Sequence, residues 1–155
     1  MKKVFIVYIL LCVGITMRAQ TWLSSDSIDS FDSLSVKQGL IRLPYKSLFS
    51  KTRLSYKFPL CIDNDSLLQL YYDFAGFADD SINLATDILL QSYFGGDCHV
   101  RFRHSVFLDT ISKKLIWRVY NIYGGCRAGG GRYFVLKVPK PPKGYTIEVE
   151  ELLVD

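Results

Sequence analysis

Histidine is scarce in this chain: His99 and His104 are the only two among 155 residues. That scarcity leaves little room for a histidine-based triad, and no serine, histidine and aspartate stand in a recognisable catalytic arrangement. It also weakens a metal site. Asp97, Cys98, His99, His104 and Cys126 are the residues that could hold zinc. Their spacing lacks the paired short spacers of zinc modules, and adjacent Cys98 and His99 would point to opposite faces of a strand. A phosphate loop is absent too. Gly129-Gly130-Gly131 is followed by neither lysine nor a helix, and it leads into a strand pattern. No metal and no cofactor is implied. Acid is missing from a further stretch: Ser33 to Ile62 has no aspartate or glutamate. It carries Lys37, Arg42, Lys46, Lys51, Arg53 and Lys57 among aromatic and aliphatic residues. Such a segment either meets an acidic partner, as in an envelope-associated accessory domain, or forms lysine-guarded edge strands.

What is present starts with a leader. Lys2 and Lys3 precede an apolar run from Val4 to Met17, and Ala19 precedes a polar stretch. This is the layout of a secretory signal peptide over residues 1–19. The run is shorter than the roughly 18–20 residues of a membrane-spanning helix. The expectation is an exported protein, periplasmic or secreted, with no membrane span after processing. The formal charge of +4 includes Lys2, Lys3 and Arg18, so the remainder carries only about +1 and nucleic acid is not an expected partner.

Cys61, Cys98 and Cys126 remain in the processed chain. In an oxidising compartment two of them can pair. Cys98 and Cys126, each near a Gly-Gly pair, are the disulfide candidate; three buried thiols are the alternative.

Residues 20–35 are rich in serine and aspartate and read as a polar linker, although Trp22 and Phe31 can dock onto the domain. Residues 36–155 read as a single α+β domain. Asp63 to Ser66 offer helix caps before Leu67, Leu68, Leu70, Tyr71 and Phe74. Asp79, Asp80 and Ser81 open a second helical pattern through Ile82, Ala85, Ile88, Leu89 and Tyr93, which Gly95-Gly96 closes. From Cys98 the period becomes two. Val100, Phe102, His104, Val106 and Leu108 share one strand face, and Arg101 and Arg103 share the other. Strands follow over Leu115–Tyr123, Tyr133–Val138 and Tyr145–Glu150, with short connections that suggest an antiparallel meander. Helices first and strands after imply helices packed in a curved, cone-like antiparallel sheet. Cones of this kind also host hydratases and isomerases, which makes His104, Tyr71, Asp73 and Asp97 the pocket candidates. The commoner reading of His104, on an apolar strand face, is a hydrogen-bonded core residue.

Three motifs in the C-terminal half carry a family resemblance. Asp79-Asp80 leads to Tyr93-Phe94-Gly95; Trp117-Arg118-Val119 follows; Gly129-Gly130-Gly131-Arg132-Tyr133 then opens an apolar strand. In this order residues 79–138 resemble the immunity proteins with a nuclear-transport-factor-2-like fold (a cystatin-like roll) found beside polymorphic bacterial toxins. The chain departs from that family after Val138, where Pro139-Lys140-Pro141-Pro142-Lys143-Gly144 stands. The resemblance implies a non-catalytic protein that neutralises a toxin-like protein partner by contact. The surfaces expected to do so are the polar strand face with Arg101, Arg103 and Arg118, and the turn with Arg127, Arg132 and Tyr133. Arginine and tyrosine are favoured interface residues.

Overall fold

The computed structural model describes residues 28–48, 59–75, 79, 81–97, 99–125 and 129–154. In chain order the elements are α1 (Ile28–Lys37), β1 (Ile41–Leu43), β2 (Lys46–Leu48), β3 (Cys61–Ile62), α2 (Asp65–Ala75), β4 (Asp87–Asp97), β5 (Arg101–Asp109), β6 (Lys114–Ile122), β7 (Gly129–Pro139) and β8 (Thr146–Val154). The leader and the stretch 49–58 lie outside the described residues. Among the described residues no helix is long and apolar enough to cross a membrane.

The strands form two open four-stranded sheets, in the orders β1-β5-β6-β8 and β2-β7-β4-β3. Between them lie Ile88, Leu90 and Phe94 of β4, Val106 of β5, Leu115, Trp117 and Val119 of β6, and Leu136 and Val138 of β7. Each sheet buries its other face under one helix. Ile28 of α1 packs with Tyr120, Ile122 and Val154 on the first sheet. Tyr71 and Ala75 of α2 pack with Ile62, Leu89 and Val135 on the second. The layers therefore run helix, sheet, sheet, helix.

This architecture corrects the cone. Neither sheet curls around the helices; the two sheets face each other, and the helices lie outside. Alternation along a strand shows that one face is buried, but not whether a helix or a second sheet covers it. The meander is corrected as well. β6 and β7 belong to different sheets, and β8 returns to lie parallel to β6, with Trp117 opposite Val149.

The second expected helix is strand β4. It pairs along its full length with β7, from Asp87 opposite Pro139 to Asp97 opposite Gly129. Ile88 and Leu90 face the first sheet, while Leu89 faces α2. A strand buried on both faces needs apolar residues at successive positions, and a short apolar run of that kind also satisfies a helical pattern. The linker differs in a related way. Residues 28–35 form most of α1, with Ile28, Asp32 and Ser35 on its buried side. The spacing is helical, but two of the three residues are polar, so the stripe does not register as amphipathic.

α2 forms where its sequence signals stand. The Leu67 amide donates to the Asn64 side-chain oxygen at 3.0 Å, an N-cap that occupies one of the helix's free donors. Tyr71 is fully buried on its inner side, yet its hydroxyl has no hydrogen-bond partner among the described residues. Burial pushes the phenol up to about 12. A buried hydroxyl without a partner costs stability, so Tyr71→Phe is expected to raise the unfolding free energy by about 0.5–1.5 kcal/mol in urea titrations. A loss of stability would mean that the hydroxyl has a partner after all.

The expected disulfide is not found among the described residues. Among the described residues no two cysteines stand at disulfide distance, and Cys61 is a free thiol that burial pushes up to about 11. The candidate pair, Cys98 and Cys126, lies outside the described residues.

Candidate functional site

Two polar constellations occupy opposite faces of the first sheet. The first lies beneath α1. Strand pairing sets Ser105, Arg118 and Glu150 side by side across β5, β6 and β8. The α1 helix lowers Asp32 onto this row, and 1% of Asp32 remains exposed. The Ser105 and Tyr120 hydroxyls each donate a short hydrogen bond to the Asp32 carboxylate. Arg118 reaches it through Nη1 at 3.3 Å, and Arg42 of β1 stands at 3.6 Å. Arg118 also donates to Ser35 Oγ and Glu150 Oε2, both at 2.8 Å. Its guanidinium lies 4.8 Å from the Phe31 ring centre and 4.9 Å from that of Phe107. The planar fork suits this role, because one face can stack while the edges donate.

Chemically, this set is arranged for holding. Burial and the nearby Asp32 carboxylate push the Tyr120 phenol well above its ordinary range. Ser105 donates to a carboxylate, and its chain neighbour His104 lies on the opposite face of the sheet; a serine nucleophile needs a base that can take its proton. Asp32, Ser35, Ser105, Arg118 and Tyr120 are all buried, and only Arg42 and Glu150 reach solvent.

The second constellation lies between the sheets. The Trp117 indole N–H donates to His104 Nδ1 at 3.2 Å. That bond assigns the imidazole proton to Nε2, which is buried and has no partner among the described residues. The ring stands 4.5 Å from Phe134 and 6.4 Å from both Phe94 and Tyr45, centre to centre. The Tyr45 hydroxyl donates to the His104 carbonyl at 3.0 Å. Burial lowers His104 to about 4, so the ring is neutral near pH 7.

The structure scatters the residues singled out from sequence. Arg101 and Arg103 are exposed at the start of β5, and Arg103 pairs with Asp29 of α1 at 2.7 Å. Arg118 is buried under that helix, away from any outer surface. Arg132 is exposed opposite Phe94, and Tyr133 is half-buried opposite Tyr93. Phe94 belongs to the inter-sheet core and Tyr133 packs beside α2, so successive residues 132 and 133 serve opposite faces. Arg127 lies outside the described residues, as does the side chain of Asp97. His104, Tyr71 and Asp73 do not form one pocket. His104 lies between the sheets, Tyr71 lies beyond the second sheet, and Asp73 is exposed on α2, accepting from Gln69 at 3.0 Å.

Asp32, Ser105, Tyr120 and Glu150 were not legible as partners. One signal for the first was available: Asp29, Asp32 and Ser35 recur at three-residue spacing, which places them along one side of a helix. Tyr93 fits a helical apolar position in the sequence pattern, yet it is 50% exposed in a strand. Gly131 lies under it. A Cβ there would stand 2.2 Å from the Tyr93 hydroxyl, so the glycine lets that ring lie along the sheet.

The chain matches no family model, no curated protein and no solved structure.

Proposed function

We propose that this chain is an exported binding protein that engages a protein partner by contact rather than by catalysis. One observation carries the reading. Arg101 and Arg103 at the start of β5, Tyr123 just past β6, Tyr93 near the end of β4 and Arg132 near the start of β7 are all exposed; strand pairing within each sheet, with Phe94 on Phe102 and Asn121 on the Gly95 carbonyl across them, gathers them at one end of the sandwich. Arginine and tyrosine offer large contact areas and several hydrogen bonds for few ordered torsions, which is why they anchor interfaces. The lysine start, apolar run and Ala19 support export. Neutralising a toxin is the form of contact suggested by the likeness of residues 79–138 to immunity proteins. The cone of that family is not carried over, because the sheets are open.

Site-specific photocrosslinking in the native cells tests the proposal. A crosslinker at Tyr93 or Tyr123 is expected to trap one protein species, while one at Ile111, which is 87% exposed at the opposite end, traps none. Replacing Arg101 and Arg103 together by alanine is expected to weaken that complex about tenfold or more. Equal adducts at both ends, or none at the arginine–tyrosine end, would sink the reading.

A further inference from the structure

His104 is built into the sandwich as a neutral ring with no place for a second proton. Nδ1, its only acceptor, is taken by the Trp117 N–H. Trp117 is a donor only, so a proton on Nδ1 sets two N–H groups against each other. On the other side, Nε2 has no hydrogen-bond partner among the described residues. The elements around it present rings: Phe94 from β4, Trp117 from β6, Phe134 from β7 and Tyr45 from the β1–β2 connection. Among the described residues, Tyr45 is the one titratable group among these, and its hydroxyl is committed to the His104 carbonyl. The nearest charged positions on the same inner faces are Glu151 and Arg132. Glu151 lies beyond Val119 on β8 and accepts from Asn121, while Arg132 stands two residues before Phe134 at the exposed end. Neither one hydrogen-bonds the imidazole, since Nδ1 is filled by Trp117 and Nε2 is empty.

A route out exists. β1 pairs with β5 only from Val106 to Leu108. Beyond that, the hydroxyl of Tyr45 holds the β5 edge at His104, and the His104 side chain is only partly buried.

We propose that His104 is an acid-sensitive joint of the sandwich: a proton taken up on Nδ1 breaks the Trp117 bond, turns the ring out past Tyr45 and loosens the two sheets along that side. The ring meets both Phe94 and Phe134, alongside Phe102 and Trp117 of the same sheet, so its departure removes part of the aromatic contacts between the sheets. The sign of the pH dependence follows from burial, which lowers His104 from 6.5 to about 4. Between those values the open state binds more protons than the closed one. The closed form is therefore fully favoured above pH 6.5 and loses ground as pH falls towards 4, by up to about tenfold per pH unit.

Long-range proton–nitrogen correlation spectra of the full processed chain test this, because the two histidines give two resolvable ring patterns. His104 is expected to hold its proton on Nε2 at neutral pH. As it takes up a second proton near pH 4, the Trp117 indole signal should shift and amide exchange in β4, β5 and β7 should speed up together. His104→Phe should abolish that step. If the phenylalanine variant fails to fold, His104→Gln, which offers Trp117 an amide oxygen and does not titrate, takes its place. Protonation of His104 with the Trp117 signal and β-strand exchange unchanged would overturn the proposal. So would the same loosening at the same pH in the variant without the imidazole.

Discussion

Asp32→Ala is expected to lower the unfolding free energy by about 3–5 kcal/mol, measured as a shift in the urea midpoint at constant slope. Asp32 is the common acceptor for Arg118, Tyr120 and Ser105, and Arg42 stands 3.6 Å away. Removing the carboxylate leaves a buried guanidinium with Ser35 and Glu150 as its remaining partners, and two hydroxyls without an acceptor. The penalty comes mainly from those stranded groups, not from the intrinsic worth of the pair. Two comparisons separate the terms. Asp32→Asn keeps an acceptor of nearly the same shape and should lose less; the difference reports the charge. Asp32→Leu combined with Arg118→Met removes both charges and should recover a good part of the loss. Since whole domains are stable by only about 5–15 kcal/mol, the alanine variant should sit close to unfolding at 37 °C. A loss below about 1 kcal/mol would show that α1 is held by its apolar contacts and not by this network.

Trp117→Ala is expected to cost about 4–6 kcal/mol, the largest single effect in the chain. Trp117 is fully buried in β6, edge-on to Phe94 at 5.2 Å between ring centres, and it donates to His104. The strand is covered on both sides: Leu115 to Ile122 are all buried, with the second sheet over one face and α1 over the other. Backbone held so tightly cannot collapse into the space an indole leaves, so the cavity persists and its cost adds to the lost transfer energy. Trp117→Phe fills most of that space and loses the hydrogen bond, so a smaller cost of about 1–3 kcal/mol is expected. Circular dichroism in urea measures both. An alanine variant that loses less than about 2 kcal/mol would contradict a core centred on this residue.

The two variants probe opposite faces of one strand, and the faces differ in how far sequence revealed them. The alternation of β5, with Phe102, His104 and Val106 on one side and Arg101 and Arg103 on the other, is visible in the letters and holds in the structure. The fate of the arginine side is not visible. Arg118 alternates with apolar residues as an exposed residue would, but its carboxylate partners come 86 positions earlier and 32 later in the chain. Only the folded chain brings α1 over that face. Two of the five arginines read from sequence as partner-binding, Arg103 and Arg118, are therefore engaged with the chain's own Asp29 and Asp32.

Local chemistry alone determined the cap and apolar stripe of α2, the period-two faces of β5 and β6, and the end of β7 at the prolines, because each depends on neighbours within a turn or a strand. Tertiary structure decided the rest: that Asp87 to Asp97 is a strand and not a helix, that two sheets face each other, that β8 runs parallel to β6, and that Arg118 is enclosed while His104 stands among rings between the sheets. The physical reason is common to all four. Periodicity records which side of an element avoids water, while the identity of what covers that side depends on contacts between residues far apart in the chain.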